Sequence, residues 1–597
     1  MFVLGLSFYY HDSSAALIQD GKIVAAAEEE RFSRLKHDSG FPAQAIEFCL
    51  KTAGIDIQDV EFVVFYEKPI IKFERILSTA FSTFPRSWQV FRESMHTWLT
   101  KKLWVKSHLK DKLGIPASKI LFADHHMSHA AASYYTSPFE HSAILTVDGA
   151  GEWTTGTLGV GKGHRIKITK EMRFPHSVGL LYSAFTAYCG FEVNEGEYKL
   201  MGMAPYGEPK YTDRIHKMIK IGEDGSLWHD MRHFAYHYSP TSTLSAEFSK
   251  VMGAPPRSRK HEDKTLDPFY CDVAASIQAV TEEVLTKMCN YLHAETGLKQ
   301  LCIAGGVGLN CVANHKLLQN TPFEEIYIHP AAGDDGGAVG AALWAYHHLL
   351  GHEQRAPALD HAFLGSEHDD EAVEGFLRNY DIPFEKIDDD DKFSTRVAEE
   401  LADGKVGGWF QGRAEWGPRA LGARSIIADP GHPEMKEIVN SKIKFREAFR
   451  PFAPSAVAET CHELFDVDDV DRHYPYRFML YVVPVREDKK ELLNSITHVD
   501  GTARLQAVYR DPCPAYYDMI KRFGEGTGRA VVLNTSFNLK GEPIVEDPSH
   551  AFNTFSRSEM DVLFMNNYVV TRDAKRLISE TRFQLHDRGD SVVGMLS

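Results

Sequence analysis

Ser142-Ala143-Ile144-Leu145-Thr146-Val147-Asp148-Gly149-Ala150-Gly151-Glu152 decides the fold, because it repeats the way the chain begins. Ala143–Val147 is an apolar strand that runs into an acidic glycine loop, and Gly156–Gly161 reads as the next strand. At the N-terminus Phe2–Phe8 is likewise a short apolar strand, with His11 and Asp12 in the loop behind it. Ser14–Gln19 is a second strand, Asp20-Gly21 is a hairpin turn signal, and Lys22–Ala27 is a third strand ending in Glu28-Glu29-Glu30. Two copies of strand, polar loop and hairpin predict an internally duplicated α/β domain with a cleft between its halves.

This pattern resembles the actin, sugar-kinase and Hsp70 (ASKHA) superfamily, in which the two loops hold phosphates from opposite sides. A third element fits the same cleft. Gln300–Ala304 is a strand, and Gly305-Gly306-Val307-Gly308-Leu309-Asn310 turns into the helical stretch Cys311–Gln319. A glycine turn feeding a helix N-terminus lets backbone N–H groups approach a nucleotide closely. It lacks the Walker lysine and the dinucleotide spacing, so neither label applies. After Leu350 the composition shifts to Pro357 and the acidic cluster at 367–371. We therefore read 1–350 as the first domain, 351–375 as a linker and 376–597 as a second α/β domain.

Composition narrows the class. The chain has 597 residues, 66 Lys+Arg and 82 Asp+Glu, a formal net charge of −16, with 43% hydrophobic and 25% charged residues. That is the balance of a globular protein with large cores, and it excludes disorder, collagen and small disulfide scaffolds. A negative surface argues against nucleic acid as a partner. His11 and Asp12 break the N-terminal apolar run before a signal peptide could be built, and no stretch is long enough to span a bilayer. The eight cysteines contain no C-x-x-C pair, so reduced thiols and a cytoplasmic location are expected. Between Lys405 and Arg450 the balance reverses, with nine Lys/Arg against five Asp/Glu. A basic island in an acidic chain calls for a phosphate-rich small ligand.

Several residues can carry chemistry. His125 and His129 in Asp124-His125-His126-Met127-Ser128-His129 are i, i+4 and share one helix face. Asp148 and Asp334 follow apolar strands and can converge on them, giving two nitrogens and two oxygens for a first-row metal such as Fe, Mn, Co or Zn. His126 stands where a metalloprotease would carry its glutamate, which disfavours that reading. His11 can take a proton from an acceptor hydroxyl, or be a structural histidine capped by Asp12. In the second domain, Arg413, Arg419 and Arg424 crowd the glycine-rich run 412–425, followed by Lys444, Arg450 and Arg504. Asn534 and Ser536, placed after a strand Ala530–Leu533, can fix a nucleoside or a small amide. Trp416, Phe445 and Phe452 interleave with these charges, which favours a pocket over a solvated face.

Ordered motifs then point to one family. They are Phe-Tyr-Tyr-His-Asp-Ser-Ser-Ala-Ala at 8–16, Glu-Glu-Arg-Phe-Ser-Arg at 29–34 with Lys36-His37, and Asp-His-His-Met-Ser-His at 124–129. Val-Asp-Gly-Ala-Gly-Glu at 147–152, Gly-Gly-Val-Gly-Leu-Asn at 305–310, Gly-Pro-Arg-Ala-Leu-Gly-Ala-Arg-Ser at 417–425 and Leu-Asn-Thr-Ser-Phe-Asn at 533–538 complete the set. Over essentially its whole length the chain resembles the NodU/CmcH family of O-carbamoyltransferases, which includes the tobramycin carbamoyltransferase.

The resemblance implies an ASKHA-type first domain that moves a carbamoyl group onto a hydroxyl, and a YrdC-like second domain that makes carbamoyladenylate from carbamoyl phosphate and ATP. It implies a divalent metal, Fe2+, on His125, His129, Asp148 and Asp334, Mg2+ accompanying ATP, and His11 as base. Arg419 and Lys444 are the catalytic cations of adenylation, with Arg413, Arg424, Arg450 and Arg504 around the phosphates. Asp12, Lys36, Gly149, Gly151, Glu152, Gly305, Gly306, Asn310, Asn534 and Ser536 are expected to line substrate or nucleotide. The partner implied is a hydroxylated small molecule of antibiotic or other secondary metabolism, with no membrane or nucleic acid, and a homodimer stays open. A small-molecule kinase or ATPase of the same superfamily would leave the second domain unused. A tRNA carbamoylation-type enzyme would use both domains, against the charge of the chain.

Overall fold

The computed structural model describes residues 1–258, 266–447 and 449–572. Both anticipated repeats fold into five-stranded sheets of identical connectivity. In the first, β1 (Phe2–Ser7), β2 (Ser14–Gln19) and β3 (Lys22–Glu28) form an antiparallel meander. Strands β4 (Val60–Phe65) and β5 (Ile120–Phe122) add in parallel beside β1, giving the order β3-β2-β1-β4-β5. In the second, β6 (His141–Val147), β7 (Thr154–Lys162) and β8 (Arg165–Arg173) repeat the meander. A separate pair, β9 (Ile219–Ile221) and β10 (Leu227–His229), precedes β11 (Gln300–Ala304) and β12 (Glu325–Ile328), which close the order β12-β11-β6-β7-β8. The first domain is a duplicated ASKHA-type α/β domain.

Local chemistry explains the turns. Asp20 and Gly21 join β2 to β3 with φ of 50° and 81°, the left-handed pair that matches a tight hairpin to strand twist. Between the halves runs the buried helix Gly337–Leu343. Gly5 on β1 leaves room for the Ala338 carbonyl, and Gly340 leaves room for the Ser128 carbonyl of the helix His125–Thr136. A side chain at Gly340 must push that histidine helix away. Gly340→Val should therefore lower unfolding stability by about 1–3 kcal/mol, the usual cost of overpacking. Denaturant unfolding checks this; a wild-type midpoint would show that the contact yields.

The second domain is built on one eight-stranded mixed sheet. Its strands are β13 (Glu385–Lys386), β14 (Gly407–Phe410), β15 (Arg424–Ala428), β16 (Ala453–Val457), β19 (Gln506–Val508), β20 (Val531–Ser536), β21 (Val562–Met565) and β22 (Tyr568–Thr571). They lie in the order β13-β22-β21-β14-β15-β20-β16-β19, with a small pair, β17 (Val483–Pro484) and β18 (Thr502–Ala503), set apart. Alternation along the strands gives the sheet two apolar faces. Trp409, Val562 and Phe564 pack with Phe393, Leu401, Ile520 and Phe523 of the helices Asp390–Ala402 and Pro514–Thr527. Phe410, Leu563 and Met565 belong to the opposite core.

Three expectations need adjustment. The stretch 351–375 is not a free linker: the helix Asp370–Asn379 begins inside it, and Leu359 N–H donates to Thr136 O while Ala26 N–H donates to Leu364 O. Asn534 and Ser536 lie on β20 rather than after it. Of the three interleaved aromatics, Trp416 and Phe452 are buried but Phe445 is exposed. Residues 573–597 of the expected second domain lie outside the described residues. Among the described residues no helix is long and apolar enough to cross a membrane.

Candidate active site between the two domains

The helix His125–Thr136 is buried along all but one of its residues, so its histidines are not a solvated face. His126 is a core residue: Thr146 Oγ1 lies 2.7 Å from its Nδ1, and its Nε2–H donates to Thr154 O at 3.0 Å. His125 and His129 instead turn their Nε2 atoms toward each other, 3.2 Å apart. Asp148 Oδ2 lies 3.2 Å from His125 Nε2, and Asp334 Oδ1 lies 3.5 Å from His125 Nε2 and 3.3 Å from His129 Nε2. One ligand atom from each of the four lies within 4.8 Å of the others. The second Asp334 oxygen is buried without a partner. Two imidazoles and two carboxylates converging in this way fit a divalent first-row cation.

The loops hold these groups in place. Asp148 follows β6 directly, and its Oδ1 accepts the Gly306 N–H at 2.9 Å. Asp334 sits in a short turn, Asp334–Gly336, some residues past the end of β12 rather than at the strand's end. Its neighbour Asp335 stays outside the four-residue cluster. Burial, with Glu28 and Asp12 nearby, pushes the Asp335 carboxyl well above the usual range. Burial opposes ionisation of Asp148, but His125 and His129 hold its carboxyl well below the usual range.

His11 stands on the β1–β2 loop, where Tyr9 and Asp12 both take left-handed backbone at φ 74° and 52°. Its Nδ1 is 2.8 Å from Asp12 Oδ2 and its Nε2 is 4.0 Å from Asp334 Oδ2. Asp12 also receives His37 Nδ1–H at 2.7 Å. Burial alone would lower the His11 pKa, but the Asp12 hydrogen bond and the Asp334 charge hold it up to about 9. Asp12 sits well below the carboxylate range: the two imidazoles outweigh its burial.

A cleft of about 450 Å3 opens beside these groups, and both domains line it. His11, Asp12, Lys36, Asp148, Gly149, Gly306, Asn310 and Asp334 come from the first domain, Arg419 and Ser536 from the second. Tyr10 and Asn538, members of the 8–16 and 533–538 motifs, also line it, as do Glu197 and Tyr198, which no motif marks. Glu197 and Tyr198 fall between motifs and carry no diagnostic spacing.

Other expected residues lie just outside. Lys444 Nζ donates to Ser536 O, Asn538 O and Asn538 Oδ1 at 2.7–2.9 Å, holding the loop that edges the cleft. Asn534 Nδ2 is spent on Ala420 O and Ser455 Oγ. Arg419, which lines the cleft, and Arg504 are half-buried with buried, unpartnered Nε atoms, and desolvation and neighbouring cations lower both guanidinium pKa values. Arg450 lies over the Tyr198 ring, 3.6 Å from Glu447, which also serves Lys199. Crowded cations with so few carboxylates suit a polyanionic ligand.

Five of the expected binding residues are engaged by the protein's own framework. Gly151 lets the loop approach the His125 ring, and Gly305, at φ 95°, lets β11 pass the Val147 carbonyl. Glu152 accepts from the His125 and Lys68 backbone N–H groups at the start of the histidine helix. Arg424 is wholly buried and donates to Gln411 O, Gly412 O and Ser366 O. Arg413 is scaffold between domains: it donates to Gly365 O, Leu364 O and Val24 O. Arg31 adds to that junction by donating to Gly417 O, while Glu28 accepts the Gly417 N–H.

Comparison with known proteins agrees with this geometry. Residues 2–343 match the family described as carbamoyltransferase N-terminus, and residues 398–572 match carbamoyltransferase C-terminus. The chain is 46% identical to the uncharacterized protein sll1178 of Synechocystis, over 96% of this chain and 97% of that one. It is 37% identical to nodulation protein NolNO of Sinorhizobium fredii, over 94% of this chain and 79% of that protein. It is also 31% identical to the 3'-hydroxymethylcephem-O-carbamoyltransferase of Streptomyces clavuligerus, over 57% of this chain and 61% of that enzyme. With both halves matched across a shared cleft, the chain belongs to the carbamoyltransferase family of enzymes.

Proposed function

We propose that this carbamoyltransferase forms carbamoyladenylate from carbamoyl phosphate and ATP and passes the carbamoyl group to a hydroxyl of a small-molecule natural product. The supporting observation is the single cleft that His11, Asp148 and Asp334 share with Arg419 and Ser536. In the first reaction water releases phosphate from carbamoyl phosphate, and the carbamate oxygen then displaces pyrophosphate from the α-phosphorus of ATP. Arg419, Arg450 and Arg504 neutralise the phosphates, while Lys444 keeps the 536–538 loop in place. In the second, the acceptor oxygen attacks the carbamoyl carbon, AMP leaves, and the hydroxyl proton goes to His11 Nε2. Asp12 orients that ring through Nδ1. A divalent cation on His125, His129, Asp148 and Asp334 would supply positive charge beside the carbamoyl oxygen and offset the carboxylates that otherwise favour protonated His11. The domains exclude water from a reactive adenylate.

Incubation with ATP and carbamoyl phosphate should release pyrophosphate, and hydroxylated small molecules should gain one carbamoyl group by mass spectrometry. Release of pyrophosphate that does not need carbamoyl phosphate would overturn the reading. Arg419→Ala should slow adenylation by about 10–100-fold, since charge-assisted bonds to phosphate are worth roughly 1.5–3 kcal/mol each, and Lys444→Ala should slow it by freeing the 536–538 loop. Supplied carbamoyladenylate should restore transfer, because the attacking and proton-accepting groups are intact. Failure of rescue, with the adenylate shown to survive the assay, would mean that these cations also act in the transfer itself.

A further inference from the structure

The His125 ring has two ends, and the cluster uses only one of them. Nε2 faces Asp148, Asp334 and His129, so Nδ1 is left to the protein. Nδ1 is buried and makes no hydrogen bond. The carboxylate facing it is Glu67, whose Oε2 lies 3.7 Å away, just beyond hydrogen-bond range. Glu67 follows β4 by two residues and is 5% exposed; its partner Lys72, 6% exposed, donates to Oε2 at 2.6 Å. Lys72 lies on the helix Pro69–Ser82, and Arg75 of the same helix donates to Gly151 O at 2.8 Å. Gly151 packs against the His125 ring. Thus one helix braces that ring twice, once through Glu67 at Nδ1 and once through Gly151.

A buried ion pair is weak evidence for stability, since apolar side chains of the same volume usually do as well. A carboxylate aimed at the free nitrogen of a metal-facing histidine has a specific use. It selects the tautomer with hydrogen on Nδ1 and an electron pair on Nε2, and it fixes the ring's direction. We propose that Glu67, held by Lys72, is a positioning residue that orients His125 toward the four-residue cluster. This rests on the reading of that cluster as a cation site. Lys72 also lies 4.7 Å over the ring of Tyr10, a liner of the cleft, so the same ion pair ties cleft wall and cluster together.

The test measures cation affinity, not turnover. Purified full-length protein is stripped of metal and titrated with Co2+ against a competing chelator. Its metal-free thermal midpoint is recorded in parallel. Glu67→Ala and Glu67→Gln should weaken Co2+ binding by about 10–100-fold, the usual effect of losing such a partner. The double variant Glu67→Gln with Lys72→Met keeps volume and removes both charges. It should retain the metal-free midpoint and still bind Co2+ at least about tenfold more weakly. Wild-type affinity in the double variant would overturn the inference while leaving the cation site standing. Wild-type protein that binds no Co2+, Fe2+ or Zn2+ would overturn the cation reading and this inference with it. A lowered metal-free midpoint with unchanged affinity would make Glu67 a structural residue and refute the proposal.

Discussion

His125→Ala or His129→Ala should abolish carbamoyl transfer while leaving ATP–pyrophosphate exchange intact. Both imidazoles belong to a helix of the first domain, and neither lines the part of the cleft formed by Arg419 and Ser536. Losing either one removes a quarter of the donor set and leaves Asp334, already buried with one unpartnered oxygen, beside an empty space. Removing an electrostatic stabiliser of developing charge commonly costs about 10²–10³ in rate, and loss of the cation should cost at least that. Chelator treatment of the wild-type protein should reproduce the defect, and added divalent metal should reverse it. A variant that transfers at the wild-type rate after chelation would remove the metal from the mechanism. Loss of exchange together with transfer would instead show that the helix supports both reactions.

The fold was legible where chemistry repeats along the chain. The two strand–loop–hairpin openings are local patterns, and the structure pairs them into sheets of the same order. Of the strands without a marker of their own, β5 and β12 are short and β8 is largely exposed, while β4 is as long as β1 but has no motif beside it. The four-residue cluster could be guessed because two members are i, i+4 and two sit in Asp-Gly or Asp-Asp loops. Glu67 could not: it is one acid just past a strand end, and only the packing of the buried histidine helix against that end brings it to His125. The arginines show the opposite failure. Arg413 and Arg424 look like phosphate ligands by density of charge, yet their guanidiniums are used on backbone carbonyls. Sequence density counts cations; it does not say which ones already have acceptors.

His11→Asn should slow transfer by about 10²–10⁴-fold, the usual contribution of a general base, with metal content unchanged. The substitution is chosen for geometry. An asparagine amide can stand where Nδ1 stands and keep a hydrogen bond to Asp12, whose oxygen is 2.8 Å from Nδ1. What it lacks is a basic atom at Nε2, the end of the ring that points toward the cluster, 4.0 Å from Asp334. Asp12→Asn should also lower transfer, since an amide NH2 facing Nδ1 favours the tautomer with hydrogen on Nε2, which cannot accept the hydroxyl proton. If His11 were only a structural residue capped by Asp12, His11→Asn would keep the loop and keep the rate. If it were a fifth ligand, the variant would lose metal along with activity, and Co2+ titration would show it. Adenylation should be untouched in either variant, because neither side chain reaches the arginines that hold the phosphates. A rate loss confined to transfer, at full metal occupancy, is the result that only a proton acceptor predicts.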